Sequence, residues 1–455
     1  MINTLSLECN VVEPRSVGTI IVINCIFLTY FSIYESISGF ASTTQALNGN
    51  GDNVTLRVLF DEFNKKGMGK SLVDNAVEKL RLNHPNLNIG VEYMDTPYSQ
   101  TKGQIENSIT NRTPLDVVSV DQIWLGELAD KELLTDLTEK AENWGRLSDF
   151  YQSNIDGMIY NNTIYGIWAW TDVRGIWYWK DLLEDAWVES ESLGTWDGYV
   201  EAAKELNSTL GPRGIKGIHL TGANHSADVW YPYLWMLGGE ILQQKEGYPS
   251  GGTYWFPAFN STEGVKALSF IQGQVKAGIE PQSTHSWGKE FSDRNFSVMI
   301  EGSWLPSNLD VADFCKVGFV PKFPTPDNDT LTATLMGGWE FAIPQTSSNK
   351  DLAWELISLM LEPSVLTPWL AKSGYLPTQL IIGEGPFSEQ LRKINPYYDD
   401  MVSMIPLGGS RPAIPAYPVV ADEIQEALNE VYYHNRDPKE ALDEAAEMSA
   451  EKLGW

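Results

Sequence analysis

The hydrophobic pattern between residues 54 and 120 constrains the fold more than any single motif does. Val54 to Phe60 (VTLRVLF) alternates and predicts an opening strand. Ser71 to Leu82 carries Leu72, Val73, Ala76, Val77 and Leu80 at helical spacing. Leu87 to Tyr93 reads as a second strand, Gly103 to Ile109 as a helix, and Asp116 to Val120 (DVVSV) as a short buried strand. Strands that alternate with helices of this length imply a mostly parallel sheet with crossover helices, an α/β architecture. Further strands are expected at Ile176 to Trp179, Gly217 to Leu220, Val317 to Pro321 and Trp339 to Ile343, with a helix over Lys350 to Leu361. A last helix begins at Asp437 as N-cap with Pro438 at its first position. Ala441, Leu442, Ala445, Met448 and Leu453 form its apolar face.

Charge removes several classes of function. The 32 basic residues face 60 acidic ones, a formal net charge of −28 over 455 residues. Phosphate polymers and anionic membrane surfaces are repelled, so no nucleic-acid partner is expected. Three cysteines, Cys9, Cys25 and Cys315, are too few for a disulfide framework or a Cys-based zinc site. No GxSxG elbow occurs. The five histidines are scattered without a metal-binding spacing, and neither metal nor cofactor is expected. Gly67-Met68-Gly69-Lys70-Ser71 resembles the end of a phosphate loop, but Asn64 stands where that loop needs glycine; a capped helix start accounts for it better. Paired carboxylates for glycoside hydrolysis are not marked by any local pattern.

The N-terminus points out of the cytoplasm. Val17 to Tyr34 is an apolar run without a charged side chain. At about 1.5 Å per residue it spans roughly 27 Å as a helix, suited to a signal segment or a membrane anchor. Residues 1–41 are therefore read as a signal or anchor segment, and residues 42–53 as a polar tether. Cys25 follows Ile23-Asn24, a poor lipidation site. Eight N-x-Ser/Thr sequons (Asn53, Asn111, Asn161, Asn207, Asn224, Asn260, Asn295, Asn328) fit an exported, glycosylated chain.

Seventeen tryptophans are many for this length, and several stand beside polar residues: Trp168-Ala-Trp170-Thr-Asp172, Trp177-Tyr-Trp179, Trp230-Tyr231 with Trp235, Gly302-Ser-Trp304 and Gly338-Trp339-Glu340. A sugar ring has an apolar face and a hydroxyl rim. Indole planes suit the face, and carboxylates or guanidinium groups suit the rim. Core packing is the expectation for Trp144, Trp187, Trp196 and Trp354.

A series of segments in fixed order carries a family resemblance. They are Pro114-Leu-Asp-Val-Val-Ser-Val-Asp121, Tyr165-Gly-Ile-Trp-Ala-Trp170-Thr-Asp172, Trp179-Lys-Asp-Leu-Leu183, Thr195-Trp-Asp197, Gly302-Ser-Trp304, Met336-Gly-Gly-Trp339, Asn349 to Trp354, Gly374-Tyr-Leu-Pro-Thr378 and Arg411 to Tyr417. From about Val54 onward the chain resembles the extracellular solute-binding proteins of ABC importers, in the sugar-binding group that includes maltose- and trehalose-binding proteins. That resemblance implies a two-lobed, periplasmic-binding-protein-like (type II) clamshell with three hinge crossings, near Trp170, Asp329 and Ala371. The first lobe would take in 54–170 plus 330–370, and the second lobe 171–329 plus 371–455. It further implies capture of a sugar, mono- to oligosaccharide, and delivery to ABC permease subunits, without catalysis, by a monomer at the cell surface whose N-terminal segment is either a cleaved signal or a membrane anchor.

By the same resemblance, Asp121 and Asp172 accept from sugar hydroxyls, Trp170, Trp304 and Trp339 stack on rings or wall the cleft, and Arg411 reaches the ligand from the far lobe. Trp230 belongs to a helix lining the second lobe's cleft, with Tyr231 and Trp235. Glu62 and Lys102 are looser matches. Alternatives are a binder of polyamines or other small solutes, which Arg411 disfavours for a cation, and a carbohydrate-active enzyme or lectin.

Overall fold

The computed structural model describes residues 52–60, 68–110, 114–222, 226–246, 253–282 and 288–455. Val17 to Tyr34, most of the tether, and Glu62 lie outside the described residues. No helix among the described residues is long and apolar enough to cross a membrane.

The opening strand, Asp52–Leu59, runs parallel to Leu87–Met94 along its whole length, and parallel to Val117–Asp121 on its other side. The helix between the first two strands, Met68–Asn83, buries Leu72, Val73, Ala76, Val77 and Leu80, the face that its spacing predicts. It packs against Lys350–Met360 and Pro363–Ser373. Tyr98–Thr110 is a longer helix than the apolar spacing alone indicates.

The centre of the molecule departs from the sequence reading. Ile176 to Trp179 is the end of a 14-residue strand, Gly166–Trp179, almost wholly buried. Up to Val173 it pairs antiparallel with Thr334–Ala342. From Arg174 onward it pairs antiparallel with Phe296–Gly302, and near its end with Val317–Val320. Thr334–Ala342 in turn lies antiparallel to Val117–Asp121, while Phe296–Gly302 is parallel to Lys216–Thr221. The sheet is therefore mixed rather than mostly parallel. Each wing is built from parallel strands with crossover helices, and the strands that carry the chain between the wings run against their neighbours. The result is a two-lobed α/β fold with a continuous strand through its middle.

Trp144, Trp196 and Trp354 pack against the core, but Trp187 does not. It follows helix Lys180–Asp185 with a left-handed φ of 56°, and its side chain is 93% exposed. Its backbone N–H closes the helix end on Glu184, and this turn geometry carries the indole outward. Of the sequons, Asn53, Asn207 and Asn260 already use their side chains in the fold, accepting from the Asn88 amide, accepting from the Gly217 N–H and donating to Asp443. Asn111 and Asn224 lie outside the described residues.

The C-terminal helix, Pro438–Leu453, is capped as its sequence predicts. Asp437 Oδ1 accepts from the N–H groups of Lys439 and Glu440 at 2.9 and 3.1 Å. Ala441, Leu442 and Ala445 are buried. Replacing Asp437 by Ala leaves those N–H groups without their side-chain acceptor. We expect a stability loss of about 1 kcal/mol, read as a lower urea midpoint at unchanged slope.

Candidate functional site

Asp121 ends the third strand and caps the helix Gln122–Asp130, its Oδ1 accepting from the Ile123 N–H at 3.4 Å. Tyr98, at the start of its own helix, donates its hydroxyl to Asp121 Oδ2 at 2.9 Å. Trp339 stands opposite Asp121 in the sheet. Its indole meets Tyr98 and Trp124 edge to face, with ring centres 5.9 and 5.6 Å apart.

The far side of the site is supplied by Arg411, in the loop before helix Tyr417–His434, and by Asp228 on helix Ser226–Met236. One guanidinium nitrogen of Arg411 lies 3.7 Å from Asp121, and another lies 3.3 Å from Asp228 Oδ1. Asp228 Oδ2 is 3.2 Å from Arg174. The chain of charges thus alternates: Asp121, Arg411, Asp228, Arg174. None of the four side chains is more than 14% exposed. Burying such charges is tolerable only because each has a partner of opposite sign.

Two further carboxyls complete the site. Asp172, on the central strand, has its Oδ2 2.7 Å from where a side chain on Gly337 would begin, and its Oδ1 is buried with no hydrogen-bond partner. Any larger residue at Gly337 would displace this carboxyl. Burial pushes Asp172 up to about 6, against the pull of Arg174 and Arg411. Glu301, on the neighbouring strand, accepts from the Gly302 N–H at 2.9 Å and is pushed up to about 7 by burial, Arg174 opposing. Asp121 is also raised: burial outweighs the contributions of Arg411 and Tyr98. Arg411 is held above its ordinary value, because Asp228 and Asp121 outweigh its own burial. Trp304 places its ring 5.7 Å from the Arg174 guanidinium, within cation–π range.

The residues singled out from sequence divide accordingly. Asp121, Asp172, Trp304, Trp339 and Arg411 are brought to one place. Trp170 is instead enclosed by Phe60, Phe341, Trp369 and Tyr375, with stacked Trp339 on another side. It backs the site and offers no free face. Trp230 is fully buried beside Tyr231. Lys102 is paired with Glu127. Sequence reasoning missed Tyr98, Arg174, Asp228 and Glu301. Arg174 carried a signal: two residues from Asp172 in a run otherwise fit for a buried strand, it shares that residue's side of the strand.

The chain belongs to the bacterial extracellular solute-binding protein family, whose profile matches residues 61–390. A binding protein of Brucella abortus (strain 2308) is 21% identical over 418 residues, 88% of this chain and 94% of that protein. Among solved structures, an ABC transporter solute-binding protein from Thermotoga lettingae bound with α-D-tagatose superimposes with a TM-score of 0.74 at 22% identity, covering 89% of this chain and all of that one. The GacH receptor of Streptomyces glaucescens, solved unliganded and with acarbose, gives 0.74 at 19%, covering 89% and 99%. UgpB of Mycobacterium tuberculosis, in complex with glycerophosphocholine, gives 0.75 at 15%, covering 88% and 100%.

Proposed function

We propose that this chain binds a neutral, hydroxylated solute, a sugar, between its lobes outside the cytoplasmic membrane and presents it to an ABC permease, without chemical change. The observation that carries the reading is the balance of buried charge. Arg174 and Arg411 are matched by Asp121 and Asp228, so an anion finds no uncompensated cation, and the two carboxyls beyond these pairs, Asp172 and Glu301, are both pushed by burial toward their neutral forms. A hydroxyl, which both donates and accepts, can join such a network without unbalancing it. Trp339 and Trp304 then supply ring faces. Relatives solved with tagatose and acarbose support a sugar over a polyamine.

Asp121, Asp172 and Arg411 would bond the hydroxyls, Trp304 and Trp339 would hold the rings, and Trp170 would fix Trp339. The first lobe would comprise 54–170 plus 330–370, and the second lobe 171–329 plus 371–455. The change of strand partners along Gly166–Trp179 supports a first crossing near Trp170. Residues 17–34 would serve export or anchoring. A ligand touching both lobes favours the closed form, and moving that equilibrium from 1:99 to 99:1 takes about 5.5 kcal/mol of differential binding.

Tryptophan fluorescence or calorimetric titration against mono- and disaccharides tests the reading. One of them is expected to saturate at a single site, and Trp339→Ala should weaken it at least tenfold without loss of the folded state. Saturation by spermidine or an amino acid instead, or turnover of a chromogenic glycoside, would overturn it.

A further inference from the structure

The helix Gln122–Asp130 and residues 410–416 meet face to face, and they belong to different wings of the molecule. The helix leaves the strand Val117–Asp121 directly and packs back against it. Residues 410–416 are fastened to the other wing at both ends. A side chain on Gly409 would begin 2.5 Å from the Trp235 ring, and the Tyr417 hydroxyl donates to the Tyr231 hydroxyl at 3.1 Å. Trp235 and Tyr231 both stand on helix Ser226–Met236, and helix Tyr417–His434 packs against that helix and against Thr262–Lys276. Pro412 and Pro415 each fix one backbone angle, and Pro412 also holds Arg411 extended, so the segment is a stiff strap.

Gln122 and Gly126 lie one turn apart on the same face of their helix. The Gln122 amide donates to the Arg411 carbonyl at 3.1 Å. At Gly126 a side chain would begin 2.0 Å from the Ala413 carbonyl oxygen, 2.6 Å from its carbon and 3.0 Å from the Ile414 Cα. All three atoms are main chain and lie between the two prolines, so no side chain can swing aside to make room. Glycine inside a helix is disfavoured relative to alanine, and Gly126 stands in the middle of this one. Local structure favours alanine there; the close approach of the strap is what requires glycine. The same approach sets the Arg411 guanidinium 3.7 Å from Asp121, the N-cap of the same helix. Each of these contacts joins one wing to the other through protein groups.

We propose that this helix face and the strap form a latch that closes the lobes before any solute arrives. Gly126 is the position that permits closure, and Gln122 is the hydrogen-bonded hold on the Arg411 main chain. Closure fixes Arg411 beside Asp121 in advance, and the solute supplies only the remainder of the differential binding that favours the closed form. The latch depends on the two elements belonging to separate lobes, and not on which solute is bound. Gly126→Ala and Gly126→Val are compared with the wild-type full chain, without added solute, by solution X-ray scattering and urea unfolding. The N-terminal residues are common to all three and cancel in the comparison. The expected result is a larger radius of gyration in Gly126→Ala than in the wild type, and larger again in Gly126→Val, with the cooperative urea transition retained. Alanine favours the helix, so Gly126→Ala keeps the test valid should Gly126→Val misfold. A lowered urea midpoint without expansion places helix and strap in one lobe, and overturns the lobe assignment and the latch together. An unchanged radius with an unchanged midpoint leaves the lobe assignment standing and overturns the latch alone.

Discussion

Arg411→Met is expected to abolish saturable sugar binding at accessible concentrations and to lower stability by about 3 kcal/mol. The guanidinium is the shared partner of Asp121 and Asp228, and it contacts groups from opposite sides of the site. Methionine preserves much of the volume and removes the charge. Asp228 retains Arg174, at 3.2 Å, so the orphaned group is Asp121, buried with the Tyr98 hydroxyl and the Ile123 N–H as remaining donors. Breaking one side of a buried pair typically costs about 3–5 kcal/mol, and the surviving donors hold this case to the low end. A second change, Asp121→Asn, removes the stranded carboxylate and should restore more than half of the lost stability while sugar binding stays lost. Asp121 is itself assigned to the sugar, so the double variant tests the account of stability, and the single variant Arg411→Met tests the contact with ligand. Urea unfolding and calorimetry on the single and double variants measure both. Wild-type affinity in Arg411→Met would remove Arg411 from the site.

The sequence was informative wherever a local rule settles the structure. The first helix shows its buried face in the spacing of Leu72 to Leu80, and the last helix shows its start in Asp437-Pro438. The central strand was harder to read. Gly166–Trp179 is buried on both faces, so it lacks the alternation that marks a half-exposed strand. The candidate site was half legible. Asp121, Asp172, Trp339 and Arg411 could be named because they sit in motif segments. Asp228 and Glu301 could not, since their importance lies in meeting Arg174 from distant parts of the chain. Trp170 and Trp230, expected at the cleft, are fully buried side chains. An indole beside a polar residue is equally suited to a cleft wall and a core, and only its neighbours in space decide.

Those spatial partners also give the site a pH signature of unusual sign. Most acidic groups that fold into ion pairs make a protein more stable as pH rises through the carboxylate range. Glu301 does the reverse. Its carboxyl is pushed up to about 7, so between about pH 4.5 and 7 the folded chain holds a proton that the unfolded chain has released. Stability is then lost as pH rises across that window, and the loss is complete above the folded value. Asp172, at about 6, adds the same trend between about pH 4 and 6, and Glu340, raised by burial, acts in the same direction. His219 works against them. Burial lowers it to about 4, so it favours the folded state increasingly as pH climbs toward 6.5. The wild-type profile mixes these contributions, and the informative quantity is a difference between variants. Glu301→Gln keeps an acceptor for the Gly302 N–H but cannot ionise. We expect it to match the wild type near pH 5 and to exceed it by a few kcal/mol at pH 8. One pKa unit corresponds to about 1.4 kcal/mol, and the shift of Glu301 sets an upper bound of roughly 3 kcal/mol. Sugar affinity should respond separately. An ionised Asp172 accepts hydroxyl hydrogens more strongly than its acid form, so affinity should rise through pH 6 in the wild type and lose that step in Asp172→Asn. Urea unfolding and titration of the variants at pH 5, 6.5 and 8 measure both effects. A stability difference between Glu301→Gln and wild type that stays constant from pH 5 to 8 would mean that Glu301 does not retain its proton in the folded chain.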